Sequence, residues 1–174
     1  MRLFVAIKTS DEVRNYLRKL QKSFEGIGNF NFTKEFHLTL KFLGEVEENN
    51  VEKLNGLLKE VKHKRFELCI DKLGVFPGVK NARVLWVGVR GDVKPLRDKA
   101  ENSLKEDFGS DERFKAHITI ARINGIGDEE RFKEMVLKTK IEEIRFMVDD
   151  FRLVKSELKR SGAVYTDICV YRLE

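Results

Sequence analysis

The chain has 174 residues, 41% hydrophobic and 36% charged, which is enough apolar material for one compact domain or two tightly packed lobes and excludes a disordered chain. A formal net charge of +5 hints at a polyanionic partner, although both signs mix along nearly every helical segment. No apolar run reaches the length of a membrane span, and the first residues lack the basic and apolar regions of a secretory signal, so a cytoplasmic protein is expected. Cys69 and Cys169 stand singly, without CxxC spacing, and read as reduced packing residues.

The first strand is expected at Leu3-Phe4-Val5-Ala6-Ile7-Lys8. Thr9 and Glu12 then form a capping box for a helix whose apolar stripe is Val13, Leu17, Leu20 and Phe24. Gly26-Ile27-Gly28 reads as a turn, because no Gly-Lys-Ser/Thr follows to make a phosphate loop. The next strand, Phe36 to Gly44, carries His37-Leu38-Thr39-Leu40. Asn49 or Asn50 can cap a second helix that turns Val51, Leu54, Leu57 and Val61 inward, and Lys62-His63-Lys64-Arg65 is its solvated end. Phe66, Leu68 and Ile70 alternate with polar residues or Cys69, as in a third strand. The segment Phe76-Pro77-Gly78-Val79-Lys80-Asn81 divides a single bilobal domain, residues 1–174, into lobes of about 1–78 and 79–174.

The second half repeats this order. Leu85-Trp86-Val87-Gly88-Val89-Arg90 matches the first strand at an offset of 82 residues. Pro95 suits a first helical turn, with Leu96, Ala100, Leu104 and Phe108 as the buried stripe. The strand from Ala116 to Ile123 carries His117-Ile118-Thr119-Ile120, 80 residues after the first tetrad. Asp128 can cap a helix presenting Phe132 and Met135, Phe146 and Val148 begin a ribbon, and Val164 to Leu173 alternates. Each half therefore reads β-α-β-α-β. The expected class is α+β, with two mainly antiparallel sheets facing a central cleft and helices on the outside.

Each tetrad alternates with a period of two, so His and Thr share one face and the aliphatic pair the other. A single such tetrad is an ordinary strand; two of them use two of the chain's three histidines. Flanking one reacting centre, His37 and His117 suit a reaction in which one imidazole takes a proton and the other gives one. Phosphoryl transfer fits, with the Thr39 and Thr119 hydroxyls donating to developing negative charge. No GxSxG or HExxH pattern offers a competing centre, and a metal site on the two histidines is the minor alternative. Strict alternation puts Lys41 on the His37 face as a phosphate candidate and turns Arg122 away from Thr119 unless a bulge intervenes. Phe4 and Phe76 are candidates for stacking on a base, with core packing the commoner fate of a phenylalanine.

On these residues the chain resembles the 2H phosphoesterase superfamily, in particular the prokaryotic RNA 2',3'-cyclic phosphodiesterases, also called 2'-5' RNA ligases. The likeness runs from Arg2-Leu3-Phe4-Val5-Ala6-Ile7 through His37-Leu38-Thr39-Leu40-Lys41-Phe42-Leu43-Gly44 and Val84-Leu85-Trp86-Val87-Gly88-Val89. It continues through His117-Ile118-Thr119-Ile120-Ala121-Arg122 to Ser156-Glu157-Leu158 and Gly162-Ala163-Val164-Tyr165. The resemblance implies hydrolysis of an RNA 2',3'-cyclic phosphate end to a 2'-phosphate, without metal or nucleotide cofactor. It makes His37 the acid and His117 the base, and sets Arg122 against the phosphate. The implied partner is RNA with such an end, tRNA fragments included, acted on by a monomer away from membranes. The symmetry of the tetrads does not by itself choose the acid from the base. A noncatalytic nucleotide- or RNA-binding module is the rival class, and 2'-5' oligonucleotides or small cyclic nucleotides are alternative substrates.

Overall fold

The computed structural model describes residues 1–174. The first half runs β1 (Arg2–Lys8), α1 (Asp11–Ser23), β2 (Gly28–Phe32), β3 (His37–Glu45), α2 (Val51–Lys59) and β4 (Phe66–Phe76). The second runs β5 (Val84–Gly91), α3 (Lys94–Phe108), β6 (His117–Ile126), α4 (Glu129–Lys138), β7 (Ile144–Val148), β8 (Asp150–Lys159) and β9 (Gly162–Arg172). The α+β class and the placement of the helices agree with the sequence reading.

All strand pairings are antiparallel, in the order β7-β4-β5-β6-β3-β1-β8-β9, with β2 added alongside β6. The two expected sheets are therefore joined into one. Their junction is narrow, because β3 and β6 share only the pair Leu38 with Ile118. Both strands bulge two residues after that pair, at Leu40 and Ile120, and a bulge bends a strand and sharpens its twist. The ladder does not propagate beyond it.

The halves of the chain also interleave in space, so a division near residue 78 separates the repeats but not the sides of the sheet. β4 pairs with β5 and β7 of the second repeat, and β8 carries β9 to the edge of β1 in the first. The short connection from Phe76 to Val84 explains the first exchange, since consecutive antiparallel strands joined by few residues become neighbours. Helices cross over as well: α1 packs on β6 and β7, and α3 on β3 and α2.

Alternation along the inner strands assigns the two faces. Leu3, Val5 and Ile7 of β1, with Leu85, Val87 and Val89 of β5, join α1–α4 in a single apolar core. Phe4 and Ala6 lie on the opposite face with Val154 and Tyr165, beneath the cleft. Helix starts follow local chemistry. Asp128 accepts from the Arg131 amide at 3.0 Å, as expected, and Pro95 lies in the first turn of α3. The α1 cap is Ser10 instead of Thr9: its hydroxyl accepts from the Val13 amide at 3.3 Å, while Thr9 is buried. Asn50 precedes α2 without capping it through its side chain. The expected turn at Gly28 extends into β2, whose Phe30 packs 5.8 Å from Phe132 across the outer edge of the core.

Lys41 departs furthest from the sequence reading. The bulge at Leu40 inserts a residue, so Lys41 turns to the helical side, 5% exposed. There its Nζ lies 2.8 Å from Glu101 Oε1 and 2.9 Å from the Gly109 carbonyl. Glu101 Oε1 also accepts from the Asp111 amide at 2.9 Å, and Arg97 lies 3.5 Å from the other oxygen. Lys41 is thus a core ion-pair residue, removed from the phosphate role. Removing one partner strands the other charge, so Lys41→Ala or Glu101→Ala should each lower stability by about 3–5 kcal/mol. Urea unfolding checks this; a loss within error of zero would show that the pair is not buried in solution.

Candidate active site

The Leu38–Ile118 pair puts both aliphatic side chains in the core, each fully buried, and so turns their neighbours to the other face. His37, Thr39, His117 and Thr119 meet there. Because the strands are antiparallel, each histidine opposes the threonine of the other repeat. All four line one cleft of about 730 Å³, together with Arg122, Phe42 and Tyr165.

Arg122 reaches the cleft because of the second bulge. Trp86 pairs with Thr119 and Leu85 with Ala121, leaving Ile120 unpaired. Ile120 and Ala121 are consecutively buried, and Arg122 returns to the Thr119 face. The freed Ile120 carbonyl accepts from the Thr33 amide at 3.0 Å and from Gln21 Nε2 at 2.8 Å. Gln21 also donates to the Thr33 carbonyl at 2.8 Å. The chain's sole glutamine therefore ties α1 to the strand irregularity that aims Arg122. In the first repeat the equivalent bulge delivers Phe42, 66% exposed, where Arg122 stands in the second.

The two imidazoles sit in different aromatic walls. His37 lies with its ring centroid 4.8 Å from Phe4 and 5.0 Å from Tyr165, the latter edge-on. His117 is perpendicular to Phe76 at 5.0 Å and lies 6.1 Å from Trp86. Phe4 and Trp86 occupy matching positions in the repeats, and both support a histidine from below. Trp86 fits because β4 carries Gly74 opposite it: a Cβ there would come within 2.3 Å of the indole. Phe4 is buried, and Phe76 packs on Trp86 at 4.8 Å as well as on His117, so these rings brace the histidines and are not free platforms for a base.

Hydrogen bonding separates the histidines further. His117 Nδ1 lies 2.6 Å from the Lys115 carbonyl, which can only accept, so the proton is on Nδ1 and Nε2 keeps its lone pair. Lys115 is itself held with Nζ 4.6 Å from the Trp86 ring centroid. Burial lowers the pKa of His117, the Lys115 carbonyl opposes that, and the Lys115 charge lowers it again. His37 is driven down to about 4, first by burial, then by the charges of His117 and Lys8. Burial also raises the Tyr165 pKa, keeping its phenol a donor. Both imidazoles are thus biased toward the neutral form.

Known proteins resemble this chain over nearly its whole length. A family model for LigT-like phosphoesterases matches residues 7–86 and 88–165, one repeat each. The chain belongs to the LigT-like phosphoesterase family. An Archaeoglobus fulgidus relative named RNA 2',3'-cyclic phosphodiesterase is 33% identical, over 98% of this chain and 99% of its own. A crystal structure from Thermus thermophilus superposes with a TM-score of 0.83 at 26% identity, covering 99% of this chain and 97% of that one. Escherichia coli LigT complexed with phosphate gives a TM-score of 0.72 at 26% identity, covering 99% and 96%.

In this LigT-like phosphoesterase, Phe42 and Tyr165 are cleft residues that strand periodicity alone does not single out. A signal for the bulge was nonetheless present: Ala121 is apolar where an unbroken strand would face the cleft. Gln21→Ala leaves the Ile120 carbonyl with one partner and the Thr33 carbonyl with none from α1. It should cost about 1–3 kcal/mol and shift the amide resonances of residues 120–122. A fold of unchanged stability with unmoved resonances would show that the bulge does not depend on Gln21.

Proposed function

We propose that this phosphoesterase hydrolyses a terminal RNA 2',3'-cyclic phosphate to a 2'-phosphate, with His117 as base and His37 as acid. The observation that carries the reading is the unequal bonding of two histidines in one cleft. His117 Nδ1 is committed to a carbonyl, which leaves Nε2 free to take a proton from water, whereas the His37 imidazole makes no such bond. Water attacks phosphorus, its proton passes to His117 Nε2, the bond from phosphorus to O3' breaks, and His37 protonates O3'. The products are a 3'-hydroxyl and a 2'-phosphate. The Thr39 and Thr119 hydroxyls donate to the nonbridging oxygens, and the Arg122 guanidinium offsets their charge. Relatives named RNA 2',3'-cyclic phosphodiesterase and the phosphate complex of LigT support this choice of substrate. With a 5'-hydroxyl in place of water and the same proton roles, the pair would join that hydroxyl to the cyclic phosphate through a 2'-5' bond as O3' departs.

His37 must be protonated to act as acid, yet burial and the charges of His117 and Lys8 hold it near 4. An anionic phosphate beside it favours the imidazolium and moves its pKa up. A low pKa also makes the imidazolium a stronger proton donor. For the free enzyme, kcat/KM should be highest in mild acid and keep falling as pH rises through neutrality, because the already small protonated fraction of His37, held near 4, keeps shrinking. It should fall again in acid as His117 protonates. The kcat profile should lie at higher pH, since the bound anion retains the His37 proton. Profiles of both parameters check this, and a kcat/KM that is flat from about pH 5 to 9 would contradict paired catalysis.

The reaction itself is tested with EDTA-treated protein and a short RNA ending in a 2',3'-cyclic phosphate, the product being identified by mass and by phosphatase-resolved chromatography. A 2'-phosphate is expected, with turnover lowered at least about a hundredfold in His37→Ala and in His117→Ala. A 3'-phosphate would assign the wrong leaving oxygen, and loss of turnover restored by one divalent ion would favour metal chemistry.

A further inference from the structure

A second cavity, of about 330 Å³, lies behind the reacting cleft and shares Phe4, His37 and Tyr165 with it as common walls. It is bounded by the end of β1, the first turns of α1 and the connection from β2 to β3, and its lining is basic. Lys8, Arg14, Arg18 and Lys34 face it against the single carboxylate Glu35. Two of these cations are already matched: Lys8 Nζ lies 2.9 Å from Asp167, and Arg14 pairs with Asp11. Arg18 and Lys34 are both exposed and neither has a carboxylate within 4.0 Å. By contrast, the cavity beside α4 that gathers Arg131, Lys133 and Lys138 also holds Asp128, Glu130 and Glu134, and it shares no wall with the cleft.

An RNA strand carries one negative charge per nucleotide, so a chain whose end is held between the histidines brings a second phosphate close by. Unmatched cations in a cavity that has His37 as one wall are suited to stabilise that charge. We propose that this cavity is a second phosphate site, in which Arg18 and Lys34 hold the internal phosphodiester one nucleotide upstream of the reacting terminus. The proposal rests on the RNA reading above. It makes the enzyme prefer an oligonucleotide to a mononucleotide with the same terminal group, through binding and not through chemistry.

The test compares wild type with the double variant Arg18→Ala, Lys34→Ala on adenosine 2',3'-cyclic phosphate and on the dinucleotide ApA ending in the same cyclic phosphate. The variant should lose about tenfold in kcat/KM on the dinucleotide, mostly in KM, and change less than about twofold on the mononucleotide. Its dependence of log(kcat/KM) on log salt for the dinucleotide should become shallower by about 0.7 for each phosphate that is no longer neutralised. Lys59→Ala with Lys62→Ala, an equal change of charge elsewhere, should leave both substrates unaffected. Equal losses on the two substrates, or none on the dinucleotide, would overturn the proposal. Binding of 2'-AMP against ApA carrying a terminal 2'-phosphate, by titration calorimetry, reads the cavity without turnover. If wild type cleaves neither substrate, the proposed reaction fails while this binding comparison still decides the site: an advantage of the dinucleotide that vanishes in the double variant supports it, and no advantage in wild type refutes it.

Discussion

Leu38 and Ile118 are the only residues through which the two repeats pair directly between β3 and β6. Burying both in the core turns the four flanking side chains outward at the same place, so two histidines from opposite ends of a duplication come to share a cleft. Everything that positions the chemistry is arranged around that contact. The bulges on either side of it choose which later residues return to the cleft, Phe42 from one strand and Arg122 from the other. The crossing of β4 and β8 into the opposite repeat supplies the outer strands that hold each histidine strand's partner in place.

The same burial that builds the site sets its protonation. Aromatic walls desolvate both imidazoles, and neighbouring positive charges, His117 and Lys8 for His37 and Lys115 for His117, discourage protonation further. A proton-in, proton-out reaction needs one of them charged and the other neutral, and only an anion entering the cleft supplies the compensating charge. The bond from His117 Nδ1 to the Lys115 carbonyl distinguishes the two rings further, because the two repeats are alike in side chains but unlike in backbone acceptors.

Much of this was legible in the sequence because it is local. Alternation within each tetrad, the apolar stripes of α1 and α3, and the Asp128 cap depend on residues a few positions apart. The repeat unit was legible too, as matching segments at nearly equal offsets. What was not legible depends on distant partners. The faces of Lys41 and Arg122 are decided by bulges, and a bulge is sustained by groups such as Gln21, 99 residues from the Ile120 carbonyl it serves. Likewise β2 forms because β6 offers an edge, and β4 leaves its own repeat because β5 follows it closely. Alternation carried past a bulge assigns every later side chain to the wrong face, which is why Lys41 was placed beside His37 and is found beside Glu101.

The central claim is that the two histidines are distinguished by their surroundings and that a bound phosphate changes the charge of only one. Nitrogen-15 NMR of the imidazoles, titrated with pH in the free protein and with 2'-AMP bound, measures this directly. The account predicts that His117 shows an Nδ1-protonated neutral ring, and that His37 titrates near 4 when free and moves upward when the phosphate binds. Two histidines with the same tautomer and the same titration, unmoved by the nucleotide, would contradict it.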